Sequence, residues 1–278
     1  MSRVDVRKTY KLFIGGEFPR SESGRSYDVK GPDGAHLANV ARASRKDVRD
    51  AVAAARKAVP GWAGASAYNR GQVLYRVAEM MESRRAELEA DVAVTLSKRK
   101  ASQEVDKAID VFVWYAGLTD KLSQISGSLN QVAGPYFNLT SPESTGVVAV
   151  VPHDEPALLS LSERVAAVLC GGNAVVVLAS EGLPLSAITL AECAATADVP
   201  KGVLNILSGL RSELVPVLAS HGDVDAIDLT GVEPELAKEA EIAAADNVKR
   251  VVRSGGAPSP YEVTAFMEMK TVWHPKGL

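Results

Sequence analysis

Two short runs of β-branched and small apolar residues, Val147–Val151 and Ala174–Leu178, bracket about twenty residues in which Leu, Val and Ala recur at helical spacing. Strand, helix and strand at this separation predict a βαβ unit, the building block of parallel sheets. Pro152 ends the first strand, and Gly171-Gly172-Asn173 supplies a helix stop where positive φ is tolerated. Downstream the alternation repeats. The pattern predicts helices over Leu185–Ala195, Ser212–Ser220 and Pro234–Ala245, and strands over Val203–Leu207, Ala226–Leu229 and Lys249–Arg253. Such an order predicts an α/β fold with a doubly wound, mostly parallel sheet. In that architecture ligands sit on the loops after the strand C-termini. Here those loops are His153-Asp154-Glu155 and Ala179-Ser180-Glu181.

Upstream, residues 10–30 read as a hairpin about Gly15-Gly16. Ser44 and Asp47 have capping-box spacing and open a helix with Val48, Val52 and Ala55 on one face, which Pro60-Gly61 is expected to break. Further helices are predicted over Tyr68–Ser83 and Gln103–Ser126. In residues 127–145, Gly, Pro, Ser and Asn interleave with apolar side chains, which suggests extended structure. The end of the chain alternates. Tyr261, Val263, Met267, Met269 and Trp273 fall on one parity, with Glu262, Glu268, Lys270 and His274 on the other. That is the pattern of a strand with one apolar face, which needs a partner.

Composition narrows the function classes. With 278 residues, 46% hydrophobic, and a net charge of −3, the chain has ample core material and no basic surplus to favour nucleic acid or an anionic membrane. No apolar run approaches a membrane span, and the cytoplasm is the expected location. Cys170 and Cys193 lie in apolar helical segments without metal-ligand spacing. No G-x-G-x-x-G run occurs, so the usual dinucleotide fingerprint is missing.

The run G-V-V-A-V-V-P-H-D-E-P, followed by G-G-N-A-V-V-V-L-A-S-E, resembles the aldehyde dehydrogenases, whose pattern is G-V-x-x-x-I-x-P-W-N-F-P and then A-G-N-x-V-V-x-K-P-S-E. The likeness continues in V-P-K-G-V-L-N-I-L-S-G (Val199–Gly209) and H-G-D-V-D-A-I-D-L-T-G (His221–Gly231), and the closing Y-E-V-T-A-F-M-E-M-K-T-V-W resembles the family's C-terminal strand. The resemblance implies a nucleotide-binding-type domain over residues 1–126 and 146–257. It also implies protruding antiparallel oligomerisation strands over 127–145 and 258–278.

Against the family pattern several chemical positions differ. Asp154 stands where the oxyanion-hole asparagine is expected, and a carboxylate there accepts rather than donates. Arg253, in R-S-G-G-A, stands at the general base, Leu178 at the ribose-binding lysine and Val232 at the serine near the pyrophosphate. Glu233 and Glu235 open the helix after Gly231, where an anion would sit, and Leu236 replaces a glycine. Ser180, Glu181, Thr230 and Gly231 match, each with a cap or turn role as an alternative. The domain that carries the family's nucleophile does not follow Gly255-Gly256; Cys170 and Cys193 read as core residues, and His153 as part of a solvated turn.

The expectation is therefore a chain with no catalytic, cofactor-binding or metal residues. It would use neither NAD nor NADP, and would be a non-catalytic subunit that assembles with itself or with a full-length aldehyde dehydrogenase. Residues Tyr261–Trp273 would form an intersubunit strand. The alternatives are a nucleotide-binding or sensing module, and a divergent oxidoreductase subunit using Asp154, Glu181 or His153.

Overall fold

The computed structural model describes residues 8–253, 255–256 and 258–277. A small sheet opens the chain, from β1 (Thr9–Tyr10), β2 (Ser26–Lys30) and β3 (His36–Ala41) in the order β1-β3-β2. The long hairpin thus lies later than residues 10–30, between β2 and β3. Gly15 and Gly16, at φ 61° and 81°, make a tight turn that bridges Ile14 to Glu17, while Phe13 bridges to Ile206.

Helix α1 (Arg45–Ala63) starts at the expected capping box, with Ser44 Oγ accepting from Asp47 N and the Asp47 carboxylate accepting from Ser44 N. It does not stop at Pro60. That residue lies in the last turn, where one missing N–H is cheap, and Gly64 N closes the helix on the Pro60 carbonyl. Next come α2 (Ala67–Ser83), α3 (Arg85–Val92), α4 (Lys98–Leu118), a 3₁₀ turn at Thr119–Lys121 and α5 (Leu122–Ser126). The single helix expected over 103–126 is therefore three pieces, and α3 is an addition.

After β4 (Ser128–Asn130) and β5 (Tyr136–Ser144) the alternation begins: β6 (Val147–Val150), α6 (Ala157–Cys170), β7 (Ala174–Leu178), α7 (Leu185–Ala195), β8 (Leu204–Leu207), α8 (Arg211–Ser220), β9 (Ala226–Asp228), α9 (Pro234–Ala245) and β10 (Arg250–Val252). The five strands are parallel, in the order β10-β9-β6-β7-β8. Val148, Val150, Val175 and Val177 face one core with Phe112 of α4, Leu161 of α6 and Leu190 of α7. Val147, Ala149, Val176 and Leu178 face a second core with Val48 of α1, Leu214 of α8 and Ala237 of α9. Burial on both faces is why these strands read as unbroken apolar runs.

The tail differs from expectation. Residues 260–264 form a helix, α10 (Pro260–Thr264), and only β11 (Met267–Pro275) is extended. Ser259 Oγ caps Tyr261 N, Pro260 takes the first helical position, and Val263 and Phe266 bury together three residues apart. β11 pairs antiparallel with β5 of its own chain, from Met267 opposite Ser144 to Pro275 opposite Tyr136. The strand expected to pair between subunits thus pairs within the chain along one edge, all nine residues of β11 lying opposite β5. With β4 on its other side, β5 is the centre of a three-stranded antiparallel sheet.

Candidate functional site

The chain leaves β6 for β7 and β8 in one direction and returns to β9 and β10 on the other side of β6. The switch point is therefore between the C-terminal ends of β6 and β9, where ligands of such sheets bind. Three loops meet there. Gly231 N donates to the Val151 carbonyl at 2.9 Å, which draws the turn after β9 against the loop after β6. A Cβ on Gly231 would lie 2.0 Å from the Pro152 carbonyl oxygen, so only glycine permits this approach.

The side chain that dominates the crevice is Arg211, the first residue of α8 and only 8% exposed. Its Nη1 donates to the Gly231 carbonyl at 2.5 Å and its Nη2 to the Pro152 carbonyl at 2.6 Å. Nη2 also lies 2.9 Å from Asp154 Oδ1. Its Nε is buried and has no hydrogen-bond partner among the described residues. The Glu181 carboxylate accepts from the backbone N–H of Arg211, capping α8. Tyr27, from β2, completes the group: its hydroxyl is buried without a partner among the described residues, and burial, with the charges of Glu181 and Asp154, pushes the phenol well above its ordinary range. The result is one buried cation spanning both strand ends, with two donor groups still unmet. Sequence reasoning passed over Arg211 and Tyr27; an arginine two residues after S-G at a strand-to-helix turn was the available signal.

The other anticipated positions are scattered or structural. Asp154 is exposed and is held by Arg211 rather than aimed at an acceptor site. Arg253 lies 2.8 Å from Glu241 on the outside of α9. Leu178 is fully buried in the sheet core and Val232 packs against the same core. Glu233 and Glu235 are exposed at the start of α9, and neither hydrogen-bonds as a cap. Ser180 Oγ accepts from Leu183 N at 3.1 Å, and Thr230 Oγ1 donates to Asp228 Oδ1 at 2.5 Å. His153 is exposed, its backbone N–H donating to Ser160 Oγ. Ser254 and Ala257 of the R-S-G-G-A run lie outside the described residues. Cys170 and Cys193 are wholly buried, and burial pushes both thiols up to about 12. Among the described residues no group of three His, Cys, Asp or Glu side chains could hold a metal ion.

Residues 18–274 match the model of the aldehyde dehydrogenase family. The cytosolic 10-formyltetrahydrofolate dehydrogenase of Mus musculus is 36% identical, over 97% of this chain and 31% of its own length. A betaine aldehyde dehydrogenase from Staphylococcus aureus in complex with NAD+ is 26% identical with a TM-score of 0.82, over 87% of this chain and 49% of that one. The NAD+ complex of an aldehyde dehydrogenase from Bacillus cereus is 28% identical with a TM-score of 0.81, over 88% and 50%. The chain thus spans about a third of the mouse relative and about half of the two solved chains.

These findings overturn two expectations from the sequence. A chain that is no enzyme and takes neither NAD nor NADP is not what the similarity supports: the relatives are dehydrogenases, and two of the solved structures hold NAD+. The reason is physical. Both expectations rested on side chains that depart from the family's motifs and on the domain expected after Gly255-Gly256, whereas the crevice here is formed by strand ends, turn backbone and Arg211. Leu178 illustrates it, since its side chain belongs to the core and not to the crevice.

Proposed function

The chain belongs to the aldehyde dehydrogenase family, and from that premise we propose that it supplies the dinucleotide-binding and assembly portion of an NAD(P)-dependent aldehyde-oxidising enzyme. The observation that carries this reading is Arg211, a buried cation at the switch-point crevice with its Nε unmet. A buried donor without an acceptor costs free energy, of order 1–3 kcal/mol, that a bound anion would recover. The pyrophosphate of a dinucleotide is such an anion. In this reading Arg211 holds the pyrophosphate, with the Tyr27 hydroxyl as a further donor.

When bound, the nicotinamide would accept the hydride released in aldehyde oxidation. The chain's own residues bind and orient. Glu181 fixes the start of α8, and with it the root of Arg211. Asp154 balances the guanidinium charge when the crevice is empty and yields it to a stronger anion. Neither Cys170 nor Cys193 is an available nucleophile, because burial keeps both protonated near neutral pH. The reacting thiol of this proposal therefore lies outside these 278 residues.

A route to that thiol is the antiparallel sheet. Leu129, Leu139 and Val272 lie directly opposite one another on β4, β5 and β11 and are 63%, 48% and 60% exposed. An apolar row across three strands suits a protein partner, here a second copy or a full-length family member, in the cytoplasm. The test is a calorimetric titration with NAD+ and NADP+. Binding is expected, weakened at least ~10-fold by Arg211→Met. Absence of heat with both nucleotides, or equal affinity in the variant, overturns the reading.

A further inference from the structure

A second cavity, of about 290 Å³, lies on the opposite face of the parallel sheet. It is an open cleft bounded by the end of α3, the start of α4, the loop after β6 and the start of α7, elements that pack on the core of that face, away from α8 and α9. Its walls include Val92, Leu96 and Leu183, and three carboxylates line it, Asp91, Glu104 and Glu155. Among the described residues no lysine, arginine or histidine lines it.

Glu104 is the informative residue. It is 6% exposed, and its Oε1 accepts from Leu158 N at 2.9 Å and Leu159 N at 3.2 Å, two N–H groups in the first turn of α6. That helix has no side-chain cap of its own, so Glu104 serves from α4. The arrangement pins the carboxylate in one orientation and leaves Oε2 without a hydrogen-bond partner among the described residues. Asp91 is similarly constrained, with Thr189 Oγ1 donating to its Oδ2 at 2.6 Å, and burial pushes its carboxyl up to about 6. Lys8, the cation that acts on Asp91, is itself engaged with Glu192 and the Tyr10 ring.

Apolar walls around fixed, underpaired carboxylates define the complementary ligand. A divalent metal is disfavoured, since the carboxylates do not converge into a metal-binding group. We propose that this cavity binds a small organic cation with a hydrocarbon body, a primary alkylammonium, whose N–H groups donate to Glu104 Oε2 while its chain lies along Val92, Leu96 and Leu183. The volume is at the lower end of small-molecule sites, near ~300 Å³, which limits the ligand to a few carbons. Neutral and anionic molecules of the same length would leave the carboxylate unmatched or repelled.

Calorimetry on the whole chain with n-butylammonium, n-butanol and butyrate tests this. Butylammonium should bind at least ~10-fold more tightly than butanol, and butyrate not at all. Glu104→Gln, which keeps the acceptor for α6 but removes the charge, should weaken butylammonium at least ~10-fold. Leu96→Trp, which fills the cavity and keeps every carboxylate, should abolish binding. If Glu104→Gln fails to fold, Asp91→Asn carries the same comparison. Equal affinity for the amine and the alcohol, no binding of the amine, or full binding by Leu96→Trp overturns the proposal.

Discussion

Arg164 and Asp228 form a fully buried ion pair, with Nε of the guanidinium 2.5 Å from Oδ2 of the carboxylate and neither side chain more than 2% exposed. Arg164 stands on α6 and Asp228 ends β9. The same guanidinium also pairs with Glu262 of α10 and lies over the Phe266 ring at 5.5 Å. One side chain thus ties the sheet, a covering helix and the tail segment together.

Removing that arginine takes the counter-ion from the wholly buried Asp228 carboxylate, which keeps its bonds from Thr230. Arg164→Met is expected to destabilise the chain by about 3–5 kcal/mol, the usual cost of orphaning a buried charge. Urea unfolding followed by circular dichroism measures it. A change below about 1 kcal/mol would mean that the pair is not a structural element.

Asp91 should make stability depend on pH in an unusual direction. Burial raises its carboxyl from 3.8 to about 6, with Glu87 and Glu192 adding to the rise and the Thr189 hydroxyl and Lys8 opposing it. The folded state then binds more protons than the unfolded state between these values, so stability falls as pH rises through that window. Asp91→Asn should gain stability over the parent at about pH 7.5 and show no gain at about pH 3.5. Urea midpoints at the two pH values give the comparison.

How much of this was legible in the sequence depends on the range of the interactions involved. β7 and α9 begin and end where the pattern placed them, because Gly-Gly-Asn and Pro234 are local signals. The tail was misread because Tyr261–Phe266 satisfies a period of two as well as the three-residue spacing of Val263 and Phe266; Ser259-Pro260, a cap followed by a first-turn proline, was the arbiter. Arg211 and Arg164 were illegible as site and clamp, since their partners lie 20 to 98 positions away. Charged residues embedded in apolar runs, as in L-S-E-R-V-A-A and A-I-D-L-T-G, were the trace they left.

Gly231→Ala tests the approach of the two loops at the switch point. The added methyl would meet the Pro152 carbonyl, so the turn must move away. The expected loss is about 1–3 kcal/mol, with nucleotide affinity falling alongside. Thermal unfolding and calorimetry report the two effects. An unchanged melting curve would show that the loops separate freely.

The two thiols should be silent in the folded protein. Their ionisation is pushed up to about 12, and both side chains are wholly buried. At neutral pH a thiol reagent should label neither residue in buffer and both in denaturant. Rapid labelling of Cys170 or Cys193 under native conditions would contradict their burial.

Leu139 lies at the centre of the apolar row on the antiparallel sheet. Leu139→Lys should lower the mass seen by light scattering, alone or with a full-length family member, without altering the melting curve. Unchanged mass in both settings would remove the sheet as the docking surface.

The intrachain pairing of β11 has a consequence for how mixed populations would sort. Because β5 occupies one side of β11, its other edge is an open ladder of amides and carbonyls along exposed residues. A strand joining there is gripped by groups that every polypeptide possesses. Main-chain pairing cannot tell siblings from strangers, so any choice among partners would fall to side chains along β11 and on the sheet face around Leu139. Where those side chains are matched, the ratio in which the chains are synthesised would decide the make-up of each particle, and a shift in expression alone would remodel it.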